Sequence, residues 1–199
     1  MATTHAIESV VAFRKECIWL QSCFNTFCSL FESGDETSDV LKRSAASFFR
    51  DINLIIQEHF ILQVCRITDP AMTRGRENLT VKNIDAILTK ENLLTPEIAA
   101  TSKRLHSYRD LIDGARNRIV SHADKETLLS GQESGAHARK DVEEFLEALH
   151  AYVNLAGEAV GEGPLDFTYT GSEGDVEDLL VCLKRGLTLT SSGPPTAAA

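Results

Sequence analysis

The sequence lacks the features that mark most specialised protein classes. Its 199 residues hold five cysteines and one tryptophan. Cys17, Cys23 and Cys28 share one helical stretch, Cys65 lies in another and Cys182 near the end. There is no CxxC and no pairing with histidine at zinc-finger spacing. So odd and sparse a set excludes a disulfide scaffold and reads as reduced, mostly buried thiols. No apolar run approaches the roughly 18–20 residues of a membrane span, so no membrane partner is expected. The start, MATTHAIESVVAFRKE, lacks the basic-then-apolar order of a secretory signal, and the expected compartment is the cytoplasm. A glycine-rich nucleotide loop, a repeat and sustained strand alternation are also missing. The histidines (His5, His59, His106, His122, His137, His150) show neither HExxH nor facial-triad spacing, so no metal and no other cofactor is expected. The thiols fall on or near apolar faces, which argues against a thiolate nucleophile.

What is present is helical periodicity in an acidic chain, with a net charge of −9. The acidity is uneven. From Glu133 to Asp178 there are twelve acids and two bases, so the rest is close to neutral. From Lys103 to Lys125 there are six bases and three acids. The overall balance argues against a nucleic-acid coat protein but leaves room for one short electropositive site.

Val10, Phe13, Cys17, Leu20, Phe24, Phe27 and Phe31 step by three and four, which places them on one helix face. SGDETSD (33–39) breaks the pattern, with Ser38 or Asp39 as a cap for the next helix. Leu41, Ala45, Phe48, Ile52, Ile55, His59, Leu62 and Arg66 continue the rhythm, with Phe49, Ile56 and Phe60 widening the face. That helix should end near Asp69-Pro70. AMTRGREN (71–78) reads as a polar connection, followed by a short helix that Thr80 can cap. Thr95-Pro96-Glu97 starts a third long helix, marked by Ile98, Leu105, Tyr108, Ile112, Ala115 and Ile119 and running to about Ser121. Val142, Phe145, Leu149, Tyr152, Ala156 and Val160 mark a fourth, which GEGP (161–164) stops. LDFTYT reads as a short extended piece, VEDLLVCLKRGL as a final short helix and SSGPPTAAA as a disordered tail.

The expected fold is all-α: an antiparallel bundle of four long helices plus short ones. The expected division is a bundle over 5–160, an appendage with a short helix over 161–190 and a tail over 191–199. A bundle carries little functional information, so function has to come from polar residues on the seams. His59 and Arg66 continue the second apolar row, and His122 the third. Arg118 precedes His122 by four residues and shares its face. Arg116 precedes it by six, about 600° of rotation and roughly 9 Å of rise, so it points about 120° away. One straight helix therefore cannot bring Arg116 and His122 together. A loosened helix end can, and so can two paired subunits.

The stretch Arg116-Asn117-Arg118-Ile119-Val120-Ser121-His122 resembles the signature of the HEPN superfamily, an arginine followed by a polar residue and, after four to six residues, a histidine. The wider context resembles its AbiU-type branch, named for bacterial abortive infection. There, a long helix closes on an R-x-T/S-D pattern, here Arg66-Ile67-Thr68-Asp69. A glycine-containing loop and an N-L-S/T helix start follow, here Arg74-Gly75-Arg76-Glu77-Asn78-Leu79-Thr80. The third helix ends in R-x-R…H-x-D, here Arg116, Arg118, His122 and Asp124. The resemblance spans roughly residues 5–160.

It implies a helical bundle that dimerises and brings two motifs into one cleft. Many such proteins are metal-independent endoribonucleases in toxin–antitoxin or phage-defence systems; others bind RNA, nucleotides or proteins without cutting. On the first reading His122 is the acid/base, which suits a group that titrates near neutrality. Arg116 clamps the phosphate, Asn117 orients the phosphate or the dimer mate, Arg118 and Arg66 hold the RNA backbone, and Asp124 fixes the histidine tautomer or the local loop. A homodimer, an RNA and a cognate antitoxin are the implied partners, and DNA is not. Two other readings stay open: a non-catalytic HEPN-like dimer that binds a protein or nucleotide, and a purely structural dimer in which Arg118 pairs with acids of the C-terminal third.

Overall fold

The structure is a computed structural model that describes residues 2–120, 139–167 and 172–191, with the side chains of 118–120 and 189–191 outside the description. It is all-α apart from a two-residue hairpin. The elements run α1 (Thr4–Phe31), α2 (Asp35–Thr68), β1 (Met72–Thr73), β2 (Arg76–Glu77), α3 (Val81–Lys90), α4 (Pro96–Leu111), α5 (Asp113–Val120), α6 (Arg139–Val160) and α7 (Val176–Ser191). Among the described residues no helix is long and apolar enough to cross a membrane.

The chain divides into two compact units. One comprises residues 1–21 and 58–167, the other 22–57 and 168–199. In the first, α1, the end of α2, α4 and α6 form an antiparallel bundle. Phe13 meets Tyr152 edge-to-face at 6.0 Å, Trp19 meets His59 at 6.2 Å and Tyr108 stacks on Phe145 at 4.6 Å. Ala6, Val10, Phe13, Cys17 and Leu20 of α1 are buried, as are Ile98, Leu105, Tyr108 and Ile112 around α4 and all six predicted seam positions of α6. A partly buried polar knot ties three helices. Asp85 of α3 accepts from the Tyr152 hydroxyl at 2.8 Å and from Ser102 Oγ at 2.6 Å. In the second unit Leu30, Leu41, Phe49 and Leu180 form the core, and Lys184 of α7 pairs with Glu36 at 2.7 Å.

Local chemistry accounts for the boundaries. Thr80 caps α3 by accepting from the Asn83 N–H, and Thr95 caps α4 by accepting from the Ile98 N–H, with Pro96 in the first turn. α2 starts at Asp35, ahead of the expected Ser38 or Asp39, because Gly34 at φ +96 turns the chain there. The connection at 71–78 is more ordered than a polar loop. Arg74 and Gly75 both take positive φ, the geometry of a tight hairpin turn, and β1 pairs with β2.

Two expectations for the long helices are corrected. On α2 the row read as the buried seam is buried at Leu41 but faces outward further along: Phe48 and Ile55 are each 57% exposed and Leu62 is 37%. The buried positions there are Phe49 and Phe60, both expected on the widened face, together with Val64 and Ile67. This helix is apolar on more than one side, so periodicity alone selects no face. The third long helix is not continuous either. It breaks at Ile112 (φ −92, ψ 3), and α5 restarts at Asp113. The turn keeps Ile112 and Ala115 in the core, while Gly114 lowers helix propensity at the joint.

Candidate functional site

The break at Ile112 positions the motif. Arg116 and Asn117 fall in the short α5, so their direction is set by the turn before them rather than by α4. His122 and Asp124 lie outside the described residues, as does the Arg118 side chain.

A chain of polar contacts runs from the end of α2 to Arg116. Arg109 is 15% exposed, and its Nη2 lies 3.8 Å from Asp69 Oδ1. Its Nη1 donates to Asp113 Oδ1 at 2.7 Å. The other oxygen of Asp113 accepts from Asn117 Nδ2 at 3.1 Å. The Asn117 Oδ1 in turn accepts from Arg116 Nη1 at 3.0 Å. Each link uses the complementary end of its group: forked donor, two-oxygen acceptor, amide with one end of each kind. The Arg109 hydrogen bond holds the Asp113 carboxyl below the usual carboxylate range, with the Arg109 charge and the Asn117 contact acting in the same direction. The buried Cys65 lies among these charges. Burial pushes its thiol up, and the positive charges of Arg109 and Arg116 pull it back in part.

Arg66 takes a different partner, Glu16, at 3.6 Å. It lines a cleft of about 430 Å³ together with Glu16, Asp69, Thr73, Glu77 and Asn78. Asn78 Nδ2 donates to the Pro70 carbonyl at 2.8 Å and to Thr73 Oγ1 at 2.7 Å, which pins the hairpin to the end of α2. Thr68 Oγ1 donates to the Val64 carbonyl at 2.6 Å. The R-I-T-D and N-L-T patterns thus meet in space. Arg66, Asp69 and Asn78 share the cleft, and Thr80 caps the helix that follows. Asp69 belongs to both features, lining the cleft and pairing with Arg109.

The structure therefore joins Arg116 to Asn117 directly and sets Arg66 in a neighbouring constellation of mostly acidic character. Sequence reasoning missed Arg109 and Asp113. The signal for them was the spacing of four between Arg109, Asp113 and Asn117, which puts an ion pair and an amide bridge in reach along a helix. His59, read on a seam, is half-buried, with Trp19 at its edge and Gln63 Nε2 at 3.4 Å. Among the described residues no group of three His, Cys, Asp or Glu side chains is placed to hold a metal ion.

Comparison with curated proteins and with solved structures returns no match. The HEPN AbiU2 family (AbiU2) matches residues 4–179, most of the chain, and the protein belongs to that family.

Proposed function

We propose that this protein is a metal-independent endoribonuclease of a bacterial phage-defence or toxin–antitoxin system, acting as a homodimer. The observation that carries the reading is the brace on Arg116. A guanidinium offers five N–H donors in a rigid fork, and the contact with Asn117 uses one. Asp113, itself held by Arg109, sets the Asn117 amide so that its oxygen faces Arg116. An arginine oriented in this way suits bidentate recognition of a phosphate whose charge grows as a phosphorane forms.

The chemistry needs few parts. The 2′-hydroxyl of the substrate attacks the adjacent phosphorus and the 5′-oxygen leaves, so DNA is not a substrate. His122 takes or gives the proton, Arg116 holds the non-bridging oxygens and Asn117 orients Arg116. Arg118 and Arg66 act on the RNA backbone, and Asp124 on the histidine tautomer. The exposed Phe48 and Ile55 on α2 support association with a second copy, and a cognate antitoxin is the natural restraint on such an activity.

The decisive experiment is an RNA cleavage assay in EDTA with wild type, His122→Ala and Arg116→Ala. Cleavage by wild type alone, with all three proteins equally helical, supports the proposal. Undiminished cleavage by His122→Ala sinks it. Absence of cleavage by wild type, with retained binding of RNA, nucleotide or protein, favours the non-catalytic reading.

A further inference from the structure

In the second unit α2 is interrupted at Ala45, at φ −162 and ψ 72. The local sequence, Lys42-Arg43-Ser44-Ala45-Ala46-Ser47, gives no cause for it. It holds neither proline nor glycine, and alanine is the strongest helix former. The adjacent Ser44 hydroxyl is buried without a hydrogen-bond partner. The interruption borders a groove of about 340 Å³.

The groove has two kinds of wall. Half-buried Phe31 and the narrow exposed edges of the core residues Leu30, Leu41 and Phe49 give it an apolar floor. Lys42, before the break, and Arg50, after it, stand at its edge, and no carboxylate lines it. Among the described residues no acid pairs with Lys42. Asp39, the nearest acid before it in the chain, is paired with Arg43 at 3.6 Å. Arg50 contacts Asp51 at 3.1 Å, with side chains 71% and 60% exposed, a pairing weak enough to exchange for another anion. In a chain of net charge −9, an acid-free groove with two cations is a local inversion of sign.

We propose that this groove binds a small amphipathic anion, a carboxylate carried on a short acyl chain or a single ring system. The apolar body lies on the Leu30–Phe31–Leu41–Phe49 floor and the carboxylate sits between Lys42 and Arg50. The volume is near the lower end of the roughly 300–1,000 Å³ common for small-molecule sites, which sets the ligand's size. Besides the cations, only Ser38 and Asn53 offer polar side-chain groups in the lining, too few to read a nucleobase edge and a ribose together. The groove lies wholly in the second unit, and its argument does not rest on the proposed nuclease reading.

The test titrates the full chain with decanoate below its micellar concentration, by calorimetry and by NMR. Expected is saturable one-to-one binding, with decanol, the uncharged analogue, binding weaker by about tenfold or more. Lys42→Ala combined with Arg50→Ala lowers decanoate affinity by about tenfold, and Ala46→Trp, which fills the groove, abolishes it. Lys42, Ala46 and Arg50 are all exposed, and circular dichroism checks that the variants fold. Should they not fold, the decanoate-against-decanol contrast on wild type decides alone. Equal affinity for the two probes, no saturable binding, or insensitivity to the substitutions overturns the proposal. Binding of adenosine monophosphate with the same dependence on Lys42 and Arg50, in place of decanoate, overturns the assignment of an apolar body.

Discussion

Gly157 lies inside α6, where exchange of glycine for alanine ordinarily stabilises a helix by about 0.5–1 kcal/mol. Here the sign is expected to reverse. A Cβ at position 157 would lie 2.8 Å from Arg14 Nη1, 3.1 Å from Arg14 Cζ and 3.3 Å from the Glu162 carbonyl oxygen. The far end of an arginine usually swings aside at little cost, but Arg14 is 6% exposed. Its Nη2 donates to the Gly163 carbonyl and its Nε is buried without a partner. Moving the guanidinium gives up a charged hydrogen bond, about 1.5–3 kcal/mol, and leaving it in place overpacks the site, about 1–3 kcal/mol. Set against the propensity gain, Gly157→Ala should destabilise the protein by about 1–2 kcal/mol. That corresponds to roughly 2–4 °C of Tm per kcal/mol in a chain of this size. Trp19, the sole tryptophan, lies in the same unit and reports urea unfolding through its fluorescence. The second arm uses Arg14→Met, which removes the clashing fork. In that background Gly157→Ala should recover its ordinary stabilising sign. The reasoning is refuted if Gly157→Ala stabilises the wild type, or if its effect is the same in both backgrounds.

Three further outcomes follow from the same geometry. Arg109→Ala releases Asp113 and Asp69 and should slow RNA cleavage by about ten- to a hundredfold through loss of Arg116 orientation, while Arg109→Lys retains part of the rate; single-turnover rates for both variants equal to wild type would remove Arg109 from the brace. His150 stacks on Phe167 at 4.0 Å, with Nε2 at 2.7 Å from Gln21 Oε1, and burial holds its pKa below the ordinary histidine value; the unfolded chain then binds the proton more readily, so this contribution is full above about pH 6.5 and is lost as pH falls. NMR titration of the His150 ring should show the depressed midpoint, and His150→Phe should flatten that part of the stability profile; a midpoint at or above the free value contradicts the reading. Ile55→Asp places a charge in the exposed row of α2 and should shift a dimer to monomer by light scattering with helicity unchanged; an unaltered mass excludes that residue from the interface.

Much of the fold was legible because helix burial leaves a period. On α6 one apolar stripe predicted six positions, all of them buried, though Leu146, Ala148, Val153 and Gly157 are buried beside it. The caps at Thr80 and Thr95 were equally readable, since a threonine ahead of an apolar run supplies a local acceptor that needs no tertiary partner. On α2 the same method was right for Leu41, Phe49 and Phe60 and wrong for Phe48, Ile55 and Leu62, because apolar residues surround the helix and only the neighbouring elements select a face. The motif was legible as residue types in order, while the family membership rests on the match over residues 4–179. The motif's brace was legible only in part. The contacts among Arg109, Asp113 and Asn117 follow a spacing of four, but Asp69 reaches Arg109 only once the end of α2 comes alongside.

The division follows the range of the forces. Sequence by itself determined what acts within one or two turns: periodicity, capping, breaks at glycine and proline, and the order of Arg116, Asn117 and His122. Tertiary structure decided which face of α2 is buried, and that Asp69 pairs with Arg109, forty residues away, while Arg109 also holds Asp113. Those outcomes depend on burial and charge pairing between distant segments, and no local propensity encodes them.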